Sequence, residues 1–241
     1  MILFIIPFLI FGQDLTYVPD DNFEQRLINL GFDDILDDYV LTENINNVSD
    51  LNVASQNIAD LTGIEDFVSL QILECQYNQL TTLDVSNNVN LLQLVCFNNQ
   101  LINLDVSQNT DLLFLQCSGN QLTNLDLSQN TSLDNLTCIG NYFTELNVSN
   151  NTFLSTIDAR GNPLTSLDLS QNTALNWLFF DNTQITSIDL SQNTALTFLY
   201  CPNNQLTNLG ASARQTWRTN PDRHLSITAT QRRRPGCRRA T

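Results

Sequence analysis

The chain has 241 residues, 42% of them hydrophobic, with 25 acidic residues against 10 basic ones and a net charge of −15. That apolar content is enough for a sizeable packed core and excludes a chain too polar to fold. All ten basic residues are arginine, and only the first dozen residues are apolar enough to interest a membrane.

Residues 2–11 are almost wholly apolar but too few to span a bilayer, so residues 1–13 read as a secretion signal with cleavage near Gly12 or Gln13. The basic residues that customarily precede such a run are missing. Residues 14–47 read as an N-terminal helical cap. Asp21-Asn22-Phe23-Glu24 makes a capping-box-like start, Phe23, Leu27 and Leu30 share one face, and Gly31 is the stop.

From 48 to 210 the chain repeats. A coil of 22 residues from Val48 to Ser69 spaces its apolar residues irregularly and puts Gln56 where later coils have Asn, as terminal coils do. Repeats of 21 residues then begin at Leu70, Leu91, Leu112, Leu133, Leu154 and Leu175, and a last one starts at Leu196 and breaks off near Gly210. A fixed period means that each coil buries its apolar side only by stacking on its neighbours, so the architecture is a solenoid. Within the coil LLFLQCSGNQLTNLDLSQNTS (112–132), positions three to seven alternate with period two, which predicts a short strand with four and six inward and three, five and seven outward. The Leu-Asp-Leu-Ser half repeats the alternation and predicts a second, shorter strand on the opposite side.

Asn stands at position nine (Asn78, Asn99, Asn120, Asn141, Asn162 and Asn204, with Thr183 breaking the column) and at position nineteen (Asn88, Asn109, Asn130, Asn151, Asn172 and Asn193). An inward amide at a turn pairs backbone groups that the stack would otherwise leave unsatisfied, so both columns are read as structural. Cys75, Cys96, Cys117, Cys138 and Cys201 all occupy position six, with Ala159 and Phe180 in the intervening coils. Parallel in-register side chains do not offer disulfide geometry, and the column is read as buried reduced thiols.

Residues 1–210 carry two arginines against 24 acidic residues, net −22, whereas 211–241 carry eight arginines and one aspartate, net +7. A basic tail is nucleic-acid chemistry. Here the composition changes where the repeat is lost, so 211–241 is read as a disordered basic tail of artefactual origin, and no nucleic-acid partner is expected.

Each half-coil reads L-x-x-L-x-apolar-x-x-N. This resembles the leucine-rich repeat family, in the 21-residue nested form called IRREKO-type, and is similar to secreted repeat proteins of Bacteroidetes-type bacteria. The resemblance covers about 48–210. It implies an α/β repeat solenoid: a right-handed coil with a parallel sheet on the concave face, short strands or turns on the other side, and a short capping helix. It also implies a secreted or cell-surface binding or adhesion module that recognises a protein or glycan through its strand face. The alternative is a structural spacer or envelope component stiffened by calcium.

No G-x-S-x-G, P-loop, H-E-x-x-H or Rossmann pattern occurs, and the one histidine, His224, lies in the tail. No enzyme is expected. Two surface features stand out. Trp177 and Phe198 at position three, with Phe179 and Tyr200 at position five, place four rings from adjacent coils together in solvent. Phe97, Val95 and Phe114 form a second apolar group, and Arg160 lies between Asp158 and Asp181. The other feature is a column at position fifteen, Asp84, Asp105, Asp126, Asp168 and Asp189, interrupted by Asn147. Calcium is the cation such oxygens would take, although the favoured reading has each Asp accepting from its own turn, with no cofactor. A further cluster, Asp33, Asp34, Asp37 and Asp38, lacks the Gly and terminal Glu of a calcium loop.

Overall fold

A computed structural model describes residues 14–207 together with the backbone of 208–210, 218–219 and 225–226. The expected secretion signal and most of the basic tail lie outside the described residues.

The cap is built around one helix. Strand β1 (Leu15–Tyr17) precedes α1 (Asp21–Leu30), and β2 (Tyr39–Leu41) returns antiparallel to β1. The helix start differs from the capping box expected from the sequence. Asp20, not Asp21, is the N-cap: its Oδ1 accepts from the N–H groups of Asn22 and Phe23, and its Oδ2 accepts from Ala59 and Asp60. One carboxylate thus caps the helix and pins it to the first coil. Glu24 does not reach back to the N-cap. It is fully buried, and its Oε1 accepts from the N–H groups of Asp37 and Tyr39. Gly31 ends the helix in the left-handed conformation, as expected. A short helix α2 (Thr42–Ile45) leads into the repeats.

Strands β3 (Asp50–Asn52), β4 (Ile72–Glu74), β5 (Gln93–Val95), β6 (Phe114–Gln116), β7 (Asn135–Thr137), β8 (Thr156–Asp158), β9 (Trp177–Phe179) and, after β10 (Ser187–Asp189), β11 (Phe198–Tyr200) form one parallel sheet of eight strands. Every pairing is in register by one coil: Thr156 opposes Trp177, which opposes Phe198. The coil period therefore becomes the strand spacing, and equivalent side chains stand in columns.

The second half of the coil does not build the continuous second sheet that its alternation predicts. Among the described residues it forms one isolated bridge, Asp84 to Asp105, and one parallel pair between β10 and β12 (Asn208–Gly210). Elsewhere it is turns. Each position-fifteen side chain accepts the N–H two residues on, in paired and unpaired coils alike, so this turn does not by itself decide where a bridge forms. In the tail, β13 (Arg218–Thr219) pairs antiparallel with β14 (Leu225–Ser226).

The core is a row of leucines, valines and isoleucines at coil positions one, four, eleven, fourteen and sixteen, nearly all with no exposed surface. Cys75, Cys96, Cys117 and Cys138 are fully buried and free. Burial pushes the Cys75 and Cys117 thiols up to about 12, where the reactive thiolate is negligible at neutral pH. We expect these four thiols to resist alkylation in the folded state and to label fully in denaturant. A mass-spectrometric bridge between any two would contradict the column.

Both Asn columns work as inward amides. Asn99 Oδ1 accepts from Leu80 N while its Nδ2 donates to Cys75 O and Cys96 O, at 3.0 to 3.1 Å. At position nineteen, Asn130 Nδ2 donates to Val106 O and Asn109 O of the preceding coil, both at 2.9 Å. Thr183 has no amide to offer, and its hydroxyl donates to Asn204 Oδ1 instead.

A third column is not evident from the sequence. Position eight has positive φ in every regular coil: Tyr77, Asn98, Gly119, Gly140, Gly161, Asn182 and Asn203 lie between +53° and +65°. The chain leaves the strand here by a left-handed step, which Gly and Asn tolerate. At Gly119 space is limiting too, since a Cβ would collide with Asn98 Oδ1.

Candidate recognition surface

The outward positions of the sheet gather the candidate residues. Trp177, 47% exposed, stacks on Phe198 with ring centroids 5.4 Å apart and planes 26° from parallel. Phe179 lies 5.2 Å from Phe198, 6.3 Å from Trp177 and 6.4 Å from Tyr200. The expected four-ring cluster is therefore assembled, across β9 and β11. Its members can meet because parallel register sets like positions side by side.

Arg160 extends the cluster. Its Cζ sits 5.3 Å from the Phe179 ring centroid, within cation–π range. Its Nε and Nη2 both grip the Asp158 carboxylate, at 2.8 and 2.7 Å, and Nε lies 3.7 Å from Asp181. The hydrogen bond to Asp158, then the charges of Asp158 and Asp181, hold the guanidinium even more firmly protonated than usual. The side chain is thereby fixed as a flat edge to the aromatic cluster.

The second apolar group is arranged differently from the expectation. Val95 is only 5% exposed, and it stands outside the core cluster in register between Glu74 and Gln116, so it offers little surface. Phe97 turns toward the coil before it and meets Tyr77 edge-on at 4.9 Å. Phe114 stands in register between Gln93 and Asn135. Tyr77, 55% exposed, is not anticipated by the strand pattern because it occupies the left-handed turn position. Its only sequence signal is an aromatic residue in a column otherwise filled by Gly and Asn.

The aspartate column lies on the other half of the coil. Asp84, Asp105, Asp126, Asp168 and Asp189 each accept the N–H of the Ser two residues on at 2.9 Å, and Asn147 makes the same turn with Ser149. Main-chain and hydroxyl hydrogen bonds from those serines favour the charged form and lower the pKa of Asp84, Asp105, Asp126 and Asp168 below the ordinary 3.8. A folded pKa below the unfolded one means stability that is present above about pH 4 and lost as pH falls through the folded value. The double variant Asp105→Asn plus Asp126→Asn should keep the turn, as Asn147 does, and lose less stability than the parent as pH falls below about 4. Acid melting curves of the two proteins check this.

No protein-family model matches the chain. Over 72 residues it is 40% identical to internalin J of Listeria monocytogenes serotype 4b, a stretch amounting to 30% of this chain and 8% of that protein. The solved functional domain of internalin J, which includes a cysteine ladder, superposes with a TM-score of 0.64 at 36% identity, over 81% of this chain and 52% of that one. This is a leucine-rich repeat fold. A leucine-rich repeat protein of Leptospira interrogans superposes at 0.55 with 25% identity, over 60% of this chain and 46% of that one. The chain thus spans about half of the solved internalin J domain and under a tenth of the curated protein. This chain has its own column of buried cysteines, at Cys75, Cys96, Cys117 and Cys138. Among the described residues, no helix is long and apolar enough to cross a membrane.

Proposed function

We propose that the chain is a secreted or cell-surface recognition module that binds a protein through its strand face, with Trp177, Phe179, Phe198 and Tyr200 as the anchor, Arg160 as its polar edge, and Phe97 and Phe114 as outlying contacts. One observation carries this reading: four outward-facing aromatic rings, on adjacent strands of a sheet whose inward face already satisfies the core, do no packing work that the fold requires. Exposed aromatic groups of this kind are the usual hot spots of protein interfaces. The similarity to internalin J is consistent with a surface module of this class.

The net charge of −22 over residues 1–210 favours a basic partner and repels acidic ones. A glycan stacked on the same rings is the second reading, since Trp and Phe faces also receive sugar rings. No catalytic residue is assigned. Parallel protein and glycan arrays, probed with the parent chain and with Phe179→Ala plus Phe198→Ala, test the proposal. A protein ligand retained by the parent and lost by the variant, at unchanged folding, supports it. Equal retention by both places the site elsewhere, and hits confined to glycans favour the second reading.

A further inference from the structure

The C-terminal end of the solenoid is covered where the repeat offers nothing to cover it. The last coil begins at Leu196 and its pattern is lost near Gly210, and β11 is the last strand of the eight-stranded sheet. Its core residues should therefore face solvent on one side. They do not: Leu199 has no exposed surface, Cys201 is 2% exposed and Leu196 5%. The main chain points the same way. Position-six N–H groups donate to the position-five carbonyl of the following coil, as Cys138 does to Asp158 at 2.8 Å, Ala159 to Phe179 at 2.9 Å and Phe180 to Tyr200 at 3.0 Å. Cys201, next in that series, reaches for a carbonyl beyond the last coil.

One segment of this chain is in the right place. β14 lies beside β11, and it is paired antiparallel with β13, Arg218 opposite Ser226 and Thr219 opposite Leu225. A paired hairpin there departs from the disorder that composition predicts for residues 211–241. Trp217 and Ile227 fall at positions one and eleven of a following coil, so two positions that are apolar throughout the repeats remain so. Charge favours the same contact. Residues 211–241 carry +7 against −22 on residues 1–210, which draws the segment to the body it adjoins.

We propose that the segment carrying β13 and β14 is a lid on the C-terminal end of the solenoid, seated on the last coil with β14 along the outer edge of β11. Such a lid covers Leu196, Leu199 and Cys201, and it brings main-chain polar groups to an edge that would otherwise recruit another strand. Stacked coils need this cover, because each buries its apolar side only against a neighbour. A second copy of this chain is the rival occupant. Two chains of net −15 repel each other, whereas the acidic body and its own basic segment attract.

The thiol column reports on the lid. Iodoacetamide labelling, followed residue by residue by mass spectrometry, compares the full chain, a chain ending at Gly210 and the full-length variant Leu225→Asp. In the full chain Cys201 should label as slowly as Cys138. Ending the chain at Gly210 should speed Cys201 labelling by about tenfold or more and lower the melting temperature, with Cys75, Cys96 and Cys117 unchanged. Leu225→Asp leaves every arginine in place and should give part of the same gain, so it decides the matter if the shortened chain does not fold. Equal Cys201 labelling in all three proteins overturns the proposal. A rise shared equally by Cys201 and the other four buried thiols also overturns it, because the effect would then lie on the whole fold. Protection of Cys201 in the full chain that is lost on dilution from about 100 to about 1 µM would assign the cover to a second copy, which overturns it as well.

Discussion

Replacing Asn120 by Ala is expected to destabilise the solenoid by about 2 kcal/mol, a large effect for a single polar side chain. Asn120 is 5% exposed. Its Oδ1 accepts from Leu101 N at 3.0 Å, and its Nδ2 donates to Cys96 O and Cys117 O at 3.1 and 3.0 Å. The substitution strands the Leu101 N–H in a place water does not reach, and takes one of two amide donors from Cys96 O and Cys117 O, which keep Asn99 and Asn141. The stranded N–H costs about 1 to 3 kcal/mol, and the two weakened carbonyls add less, since each keeps a donor. Because every coil contacts only its neighbours, the loss falls on one interface in the middle of the stack and should lower the cooperativity of unfolding as well as its midpoint. Urea melts of the two proteins give both quantities. A loss under about 0.5 kcal/mol would mean that the Leu101 N–H finds another acceptor and that the column is not needed for stability.

The Asn column is legible in the sequence, and so are the cysteine column, the inward leucines and the four-ring cluster, all for one reason. Where the repeat length is constant, residue position is equivalent to spatial column, and a residue type repeated at one position declares its environment. What is not legible breaks that equivalence. Position eight is left-handed throughout, but Tyr, Asn and Gly share the column, so backbone conformation and not side-chain chemistry is its common property. Period-two alternation places Val95 on the outward face, and the alternation does not tell that it is covered there, at 5% exposure and outside the core cluster. The second strand is predicted from an alternation that is paired only between Asp84 and Asp105 and between β10 and β12. The cap offers no repeat at all. The role of Asp20 as the helix cap and the burial of Glu24 depend on contacts with residues 59–60 and 37–39, which nothing local encodes.

Trp177→Ala is expected to raise the dissociation constant for the array-identified ligand about 30-fold, corresponding to about 2 kcal/mol. Among the four rings it offers the largest apolar face and an indole N–H at its edge. Phe198 and Phe179 stack against it, at 5.4 and 6.3 Å, and hold it in place before any partner arrives, so little is lost in ordering it. The fold asks little of it. Its strand neighbour Leu178 is fully buried and feeds the core, whereas Trp177 stands outward at 47% exposure. Truncation should therefore cost about 1 kcal/mol of stability, the worth of the lost ring contacts. Calorimetric titration of that ligand into parent and Trp177→Ala, with melting temperatures taken on the same samples, separates the two roles most directly. The recognition account predicts a large loss of affinity at nearly unchanged stability. Unchanged affinity with a stability loss of several kcal/mol would place the ring in packing and contradict the account.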